Sequence, residues 1–136
     1  MNAEAIHRLE RDILPHINQP AQYIGGEFNQ IVKSAAGTVS IRWALAFPDS
    51  YSVGMSHLGL KIIYAILNGI PDTAAERVFC PLPDMEAALK RQRIPLYTLE
   101  TKTALNRFDV LGFSLMHELC YTNILTMLDL DRKSVV

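Results

Sequence analysis

The densest run of chemically capable residues is Gly54-Met55-Ser56-His57-Leu58-Gly59-Leu60-Lys61. A serine two positions after a glycine, at a strand-to-helix turn, approaches the G-x-S-x-G elbow that exposes a nucleophile. Leu58 stands in the closing position, however, and Gly59 falls one residue late. No convincing acid partner is placed in chain order, so Ser56 reads as a helix N-cap rather than a nucleophile. The same run approaches a phosphate-binding loop, in which stacked backbone N–H groups cradle phosphates and a lysine reaches the terminal one. Lys61 is displaced by one position and no Ser or Thr follows it to hold Mg²⁺, which argues against nucleotide hydrolysis. A helix N-terminus here still suits an anionic group of some cofactor. His57 and His117, with Glu118 beside the second, invite a metal hypothesis, but no Cys or carboxylate spacing completes a ligand set and no metal is expected.

The chain that must position these residues is 136 residues long, the size of one modest domain able to bury a core without disulfide or metal staples. Hydrophobic residues make up 49% and charged residues 20%, too apolar for intrinsic disorder and too evenly punctuated for a membrane span. Thirteen basic against fourteen acidic residues leave a net charge of −1, so no overall positive field draws the chain to nucleic acid or anionic lipid. Cys80 and Cys120 stand alone among apolar neighbours, which argues against a disulfide framework and for a reducing, cytoplasmic setting. The N-terminus carries no signal-peptide pattern.

Ile6, Leu9, Ile13 and Ile17 recur at helical spacing and predict an amphipathic opening helix that Pro15 kinks or shortens. Residues 23–32 are β-favouring but interrupted by Gly25-Gly26. With the turn signal at Ala36-Gly37 they suggest an edge hairpin with the next strand. Residues 38–47 form the clearest strand: Val39, Ile41, Trp43, Leu45 and Phe47 share one face, and the second half is apolar on both, as in a central parallel strand. After a loop, a helix follows with Leu58, Ile62, Ala65 and Ile66 on its buried stripe and Asn68-Gly69 with Pro71 as its stop. Arg77-Val78-Phe79-Cys80 is a short strand. Pro83-Asp84 opens a helix carrying Met85, Ala88 and Leu89, residues 95–100 read as a third strand and residues 108–115 as a fourth. Cys120, Ile124, Met127 and Leu128 mark a final helix.

This alternation predicts an α/β fold with a doubly wound, mainly parallel sheet of about four strands plus the N-terminal edge hairpin. Ligands of such sheets sit beyond the carboxyl ends of the strands, which selects residues 49–57, 81–84, 100–102 and 114–118 as one candidate mouth. The domain is expected over residues 23–130, behind an N-terminal helix and linker at residues 1–22. Residues 131–136, Asp-Arg-Lys-Ser-Val-Val, have neither periodicity nor cap, and a non-native tail replacing a native continuation is expected there.

Tyr23-Ile24-Gly25-Gly26-Glu27-Phe28-Asn29 and the run from Ala44-Leu45-Ala46-Phe47-Pro48-Asp49 through Ser50-Tyr51-Ser52-Val53-Gly54-Met55 to Ser56-His57-Leu58-Gly59-Leu60 resemble the N-terminal module of a bacterial family of radical S-adenosylmethionine proteins. Ala75-Glu76-Arg77-Val78-Phe79-Cys80-Pro81, Pro83-Asp84-Met85-Glu86 and Phe108-Asp109-Val110-Leu111-Gly112-Phe113-Ser114-Leu115 resemble the same family in the same order. The resemblance implies a cobalamin-binding-like Rossmann module followed by a radical domain, whose C-x-x-x-C-x-x-C cysteines hold a 4Fe-4S cluster that cleaves S-adenosylmethionine. This chain has no such triplet, so the cluster and the catalytic residues belong to the downstream domain, its expected partner.

The D-x-H-x-x-G signature of one cobalamin-binding class is absent around His57, and an S-x-L motif is half matched by Ser114-Leu115-Met116. If cobalamin binds, the resemblance implies contacts from Pro48, Asp49, Ser50, Tyr51, Gly54, Ser56, His57, Pro81, Ser114, His117 and Glu118 without an axial histidine. The expected function is that of a cofactor-binding or docking module with no catalysis of its own. An interaction-only Rossmann-like domain and a free-standing binder of a nucleotide-like ligand are the alternatives.

Overall fold

The computed structural model describes residues 1–33 and 38–132; the Ala36-Gly37 turn signal and the tail from Lys133 onward lie outside the described residues. Among the described residues, three strands, β1 (Ile41–Phe47), β2 (Thr73–Phe79) and β3 (Val110–Phe113), form one sheet in the order β2-β1-β3. Both pairings are parallel, with Phe47 opposite Phe79 and Ala46 opposite Phe113. β1 is the central strand that its two-sided apolar pattern predicts: Ala44, Leu45, Ala46 and Phe47 are all buried.

Helices cover both faces, as in a doubly wound sheet. Helix α3 (Leu58–Asn68) packs Leu60 and Tyr64 against Leu45, Phe47, Ala75 and Phe79. On the opposite face, α4 (Pro83–Gln92) and α5 (Tyr121–Arg132) bring Met85, Ala88, Leu89, Met127 and Leu130 onto Ala44, Ala46 and Val78. The opening segment joins that second layer: α1 (Ala3–Arg8) continues through a π-helical turn, Leu9–Ile13, and a 3-10 turn, Leu14–His16, burying Leu9 and Ile13. A four-residue helix, α2 (Tyr51–Gly54), lies in the loop after β1. Among the described residues, no helix is long and apolar enough to cross a membrane.

Four sequence expectations are corrected. The buried stripe of α3 is Leu60, Tyr64 and Asn68, whereas Leu58, Ile62 and Ile66 are exposed. Asn68 is the reason: its Nδ2 donates to the carbonyls of Tyr64 and Ala75, and its Oδ1 accepts the Ala75 N–H, so a polar residue docks this helix on β2. β2 begins at Thr73 rather than Arg77, because the charges within it are paired inside the fold. Residues 95–100 are not a strand beyond an isolated antiparallel bridge from Tyr97 to Ala104. Leu99 N–H reaches the Arg77 carbonyl, but the Arg77 N–H is taken by the Glu100 carboxylate, which replaces the next backbone acceptor of a ladder.

Residues 23–32 do not form a hairpin strand either. Gly25 and Gly26 adopt φ of 73° and 75°, and a Cβ on Gly25 would stand 2.2 Å from the Leu99 carbonyl oxygen, so the backbone turns and lies flat against its neighbour. This segment is a strap. Asn18 N–H donates to Asp84 Oδ2 at 2.8 Å, and the Tyr23 hydroxyl accepts the Leu82 N–H at 3.1 Å. At its far end, Lys33 Nζ donates to the carbonyls of Asn68, Ile70 and Thr73 at 2.6–2.8 Å, neutralising the carbonyl end of α3.

Candidate functional site

Because all three strands are parallel, their carboxyl ends share one rim. Cys80 N–H donates to the Asp49 carbonyl at 3.0 Å, and Ser114 N–H to the Ala46 carbonyl at 3.1 Å, so the loops after β1, β2 and β3 meet there. Asn123, from the first turn of α5, donates Nδ2 to the Pro48 carbonyl at 2.9 Å and ties the last helix to the same rim. The strand order reverses at β1, which puts the switch-point crevice between β1 and β3.

The sequence-selected residues fall into three groups. Pro48, Gly54 and Pro81 are buried and act as packing. Gly54 is enforced by close approach: a Cβ there would lie 2.1 Å from Phe79 Cε1 and 3.1 Å from Phe47 Cδ1. Asp49, Ser50, Tyr51, His57 and Ser114 are half-buried, with Asp49 Oδ1 accepting the Ser50 N–H. Ser56, His117 and Glu118 are exposed. Glu100 leaves the expected mouth altogether. It sits alongside β2 with its side chain fully enclosed, paired to Arg77 Nε at 2.8 Å.

The N-cap of α3 is His57, not Ser56. Its Nδ1 accepts the Leu60 N–H at 3.1 Å while its ring packs 5.1 Å from that of Phe47, and Ser56 instead donates to the Ser52 carbonyl. The Nδ1 lone pair is therefore occupied, which fixes the proton of the neutral ring on Nε2. Replacing His57 by alanine should destabilise the fold by about 1 kcal/mol through loss of this cap. Chemical denaturation measures it, and an unchanged midpoint would contradict the capping role. His117 stands near Cys120, whose Sγ is 3.8–3.9 Å from the ring nitrogens. Among the described residues, no three His, Cys, Asp or Glu side chains gather as a metal site.

On the β1–β2 side the rim is closed by the strap. Gln22 Nε2 donates to Ser52 Oγ, the Tyr51 hydroxyl donates to Glu27, and the Tyr97 hydroxyl donates to the Tyr23 carbonyl. The space left among Tyr23, Tyr51, Phe79, Cys80 and Tyr97 is about 20 Å³, room for little more than a water. Burial pushes the Cys80 thiol from 9.0 up to about 11, and the Tyr51 and Tyr64 hydroxyls from 10.0 up to about 12. Each group stays neutral in the folded chain after its unfolded counterpart has ionised. The stability it contributes is thus complete below the unfolded value and lost as pH rises through the folded one. Unfolding free energy should hold up to about pH 9 and then fall toward pH 12; urea melts across that range test it, and a flat profile would contradict the shifts.

Sequence reasoning missed the buried charges of β2. Arg77 is 1% exposed, with its guanidinium 4.1 Å from the centre of the Tyr64 ring, and Glu76 is 3% exposed. Glu76 accepts from Arg42, Thr98 and Thr101 on the other face of the sheet. Two adjacent opposite charges inside an apolar run, Ala74-Ala75-Glu76-Arg77-Val78-Phe79, are the signal that marks them. On the β3 side the rim is open: Leu115, Met116, Leu119, Tyr121 and Leu125 are all exposed.

No curated protein and no solved structure matches the chain. A family match is found over residues 59–135, from the first turn of α3 past the end of α5, and spans more than half of the sequence. With a parallel sheet wound on both faces and this match, the chain belongs to the family of radical SAM proteins, N-terminal.

Proposed function

We propose that the chain is the docking module of a radical S-adenosylmethionine enzyme, and that it presents the β3 side of its strand-end rim to the cluster-bearing domain. The observation that carries this reading is the asymmetry of the sheet. The outer edge of β2 is closed by Leu99 and Glu100, whereas the outer edge of β3 has no strand partner among the described residues. The residues that follow β3 in the chain include the exposed apolar group from Leu115 to Leu125, of the kind that marks an interaction site. Helix α5 packs on the same face as α4, so a right-handed crossover continuing from it would lay a further parallel strand against β3. With only Cys80 and Cys120, both buried, the chain does not supply the cysteine triplet of the cluster, and catalysis belongs to the partner domain in a reducing cytoplasm.

Cobalamin binding is the finer reading, and the residues on the β1–β2 side of the rim fit it poorly. The β1–β2 side of the rim is filled by aromatic side chains and the strap, Pro48, Gly54 and Pro81 are buried, and His57 is engaged as a helix cap. Titrating the chain with hydroxocobalamin should leave the corrin absorption spectrum unchanged; a saturable shift would restore the cofactor role. The docking reading is tested by hydrogen exchange of the chain alone and joined to its cluster domain. Slowed exchange at residues 110–125 in the joined protein is expected, and unchanged exchange there would overturn it.

A further inference from the structure

At the end of the molecule opposite the rim lies a groove of about 480 Å³, lined by Met1, Asn2, Ala5, Arg8, Arg93, Pro95, Ala104, Asn106 and Arg107. Its position follows from the winding. Helix α4 starts after the carboxyl end of β2 and delivers Arg93 to the other end of the sheet, and residues 104–107 precede β3. Among the described residues, none of those lining it is acidic. Arg11, Arg42 and Arg77 are ion-paired, while among the described side chains Arg8, Arg91, Arg93 and Arg107 have no carboxylate partner. Three of those four face this one groove. In a chain of net charge −1, that is a local concentration of positive charge.

Two details bear on Arg8 and Arg93. Arg8 Nη1 donates to the Gln92 carbonyl at 2.7 Å, which fixes the guanidinium, yet its Nε is enclosed and has no hydrogen-bond partner among the described residues. Arg93 closes α4 with φ of 54°, a left-handed position where glycine is favoured and a long side chain is uncommon. Planar guanidiniums suit bidentate recognition of phosphate oxygens. The groove has the volume of a small-ligand site, and the near-neutral chain offers no extended basic track for a nucleic-acid backbone.

We propose that the groove formed by Arg8, Arg93 and Arg107 binds the diphosphate group of a small phosphorylated ligand. The site is separate from the strand-end rim, so it stands or falls independently of the docking reading.

Inorganic pyrophosphate is the probe, titrated calorimetrically at low ionic strength into the unaltered chain, into the double variant Arg93→Asn with Arg107→Gln, and into Arg91→Gln. Asparagine tolerates the left-handed backbone at position 93, and Arg8 is left in place because it ties α1 to α4. Saturable one-to-one binding is expected, weakened about tenfold or more in the double variant and little changed in Arg91→Gln. In the unaltered protein, pyrophosphate should also protect Arg93 and Arg107, but not Arg91, from phenylglyoxal. This second readout does not depend on the folding of any variant. Absence of saturation, equal weakening by Arg91→Gln, or uniform protection of all three arginines would overturn the proposal, as would tighter binding of a short single-stranded RNA than of pyrophosphate.

Discussion

Replacing Glu100 by alanine should lower the unfolding free energy by about 3–5 kcal/mol, because it strands a buried guanidinium. Arg77 is 1% exposed, its Nε and its backbone N–H both donate to the Glu100 carboxylate, and its Nη2 already lacks a partner among the described residues. Burial holds the Glu100 carboxyl above the usual carboxylate range despite those bonds, so the pair is strained by desolvation rather than comfortably solvated. The ring of Tyr64 and the sulfur of Met55 are the other neighbours of the guanidinium, and neither neutralises it. Since domains of this size are stable by about 5–15 kcal/mol, Glu100→Ala should leave a barely folded chain. Substituting Arg77→Met together with Glu100→Leu removes both charges, and should recover a large part of the loss. Urea denaturation of the three proteins decides it; a double variant no more stable than Glu100→Ala would show that shape, not charge, holds this site.

Gly54→Val should destabilise the fold by about 3 kcal/mol or more through overpacking. A Cβ alone would meet Phe79 Cε1 at 2.1 Å and Cδ1 at 2.4 Å, and the Phe79 ring is held edge-on by Tyr51 and tilted against Phe47. Since the space beside the Phe79 ring holds little more than a water, the short helix α2 must move off β1. Thermal melting tests this: an unchanged midpoint would mean that the glycine stands in an open loop and was selected for ligand approach instead of packing.

β1 and α4 were legible in the sequence because their burial is dictated by apolar content alone. The two-sided apolar half of β1 and the Met85, Ala88, Leu89 spacing of α4 are both realised. α3 was misread because apolar residues surround it: with Leu58, Leu60, Ile62, Ile63, Ile66 and Leu67 in eleven positions, spacing names no single face. The face was decided by Asn68 bonding to β2 and by the Tyr64 hydroxyl donating to the Ile31 carbonyl, long-range polar contacts that no periodicity encodes. At the rim, strand polarity predicted which loops converge after β1, β2 and β3, and Glu100 escaped because its segment mimics a strand while its carboxylate serves as an acceptor for β2. The strap was illegible for a related reason: its β-favouring residues are laid flat by Gly25 and Gly26, and its anchors are 40 to 75 positions away in Tyr97, Leu82 and Thr73.

The neighbouring charges of β2 also forbid a misaligned sheet. Slipping that strand by a single position would turn every side chain to the opposite layer. Glu76 would then confront Glu100, and Arg77 would confront Arg42, so the mispaired arrangement would set like against like inside the protein, where water offers no relief. Alignment of β2 is thus proofread by repulsion.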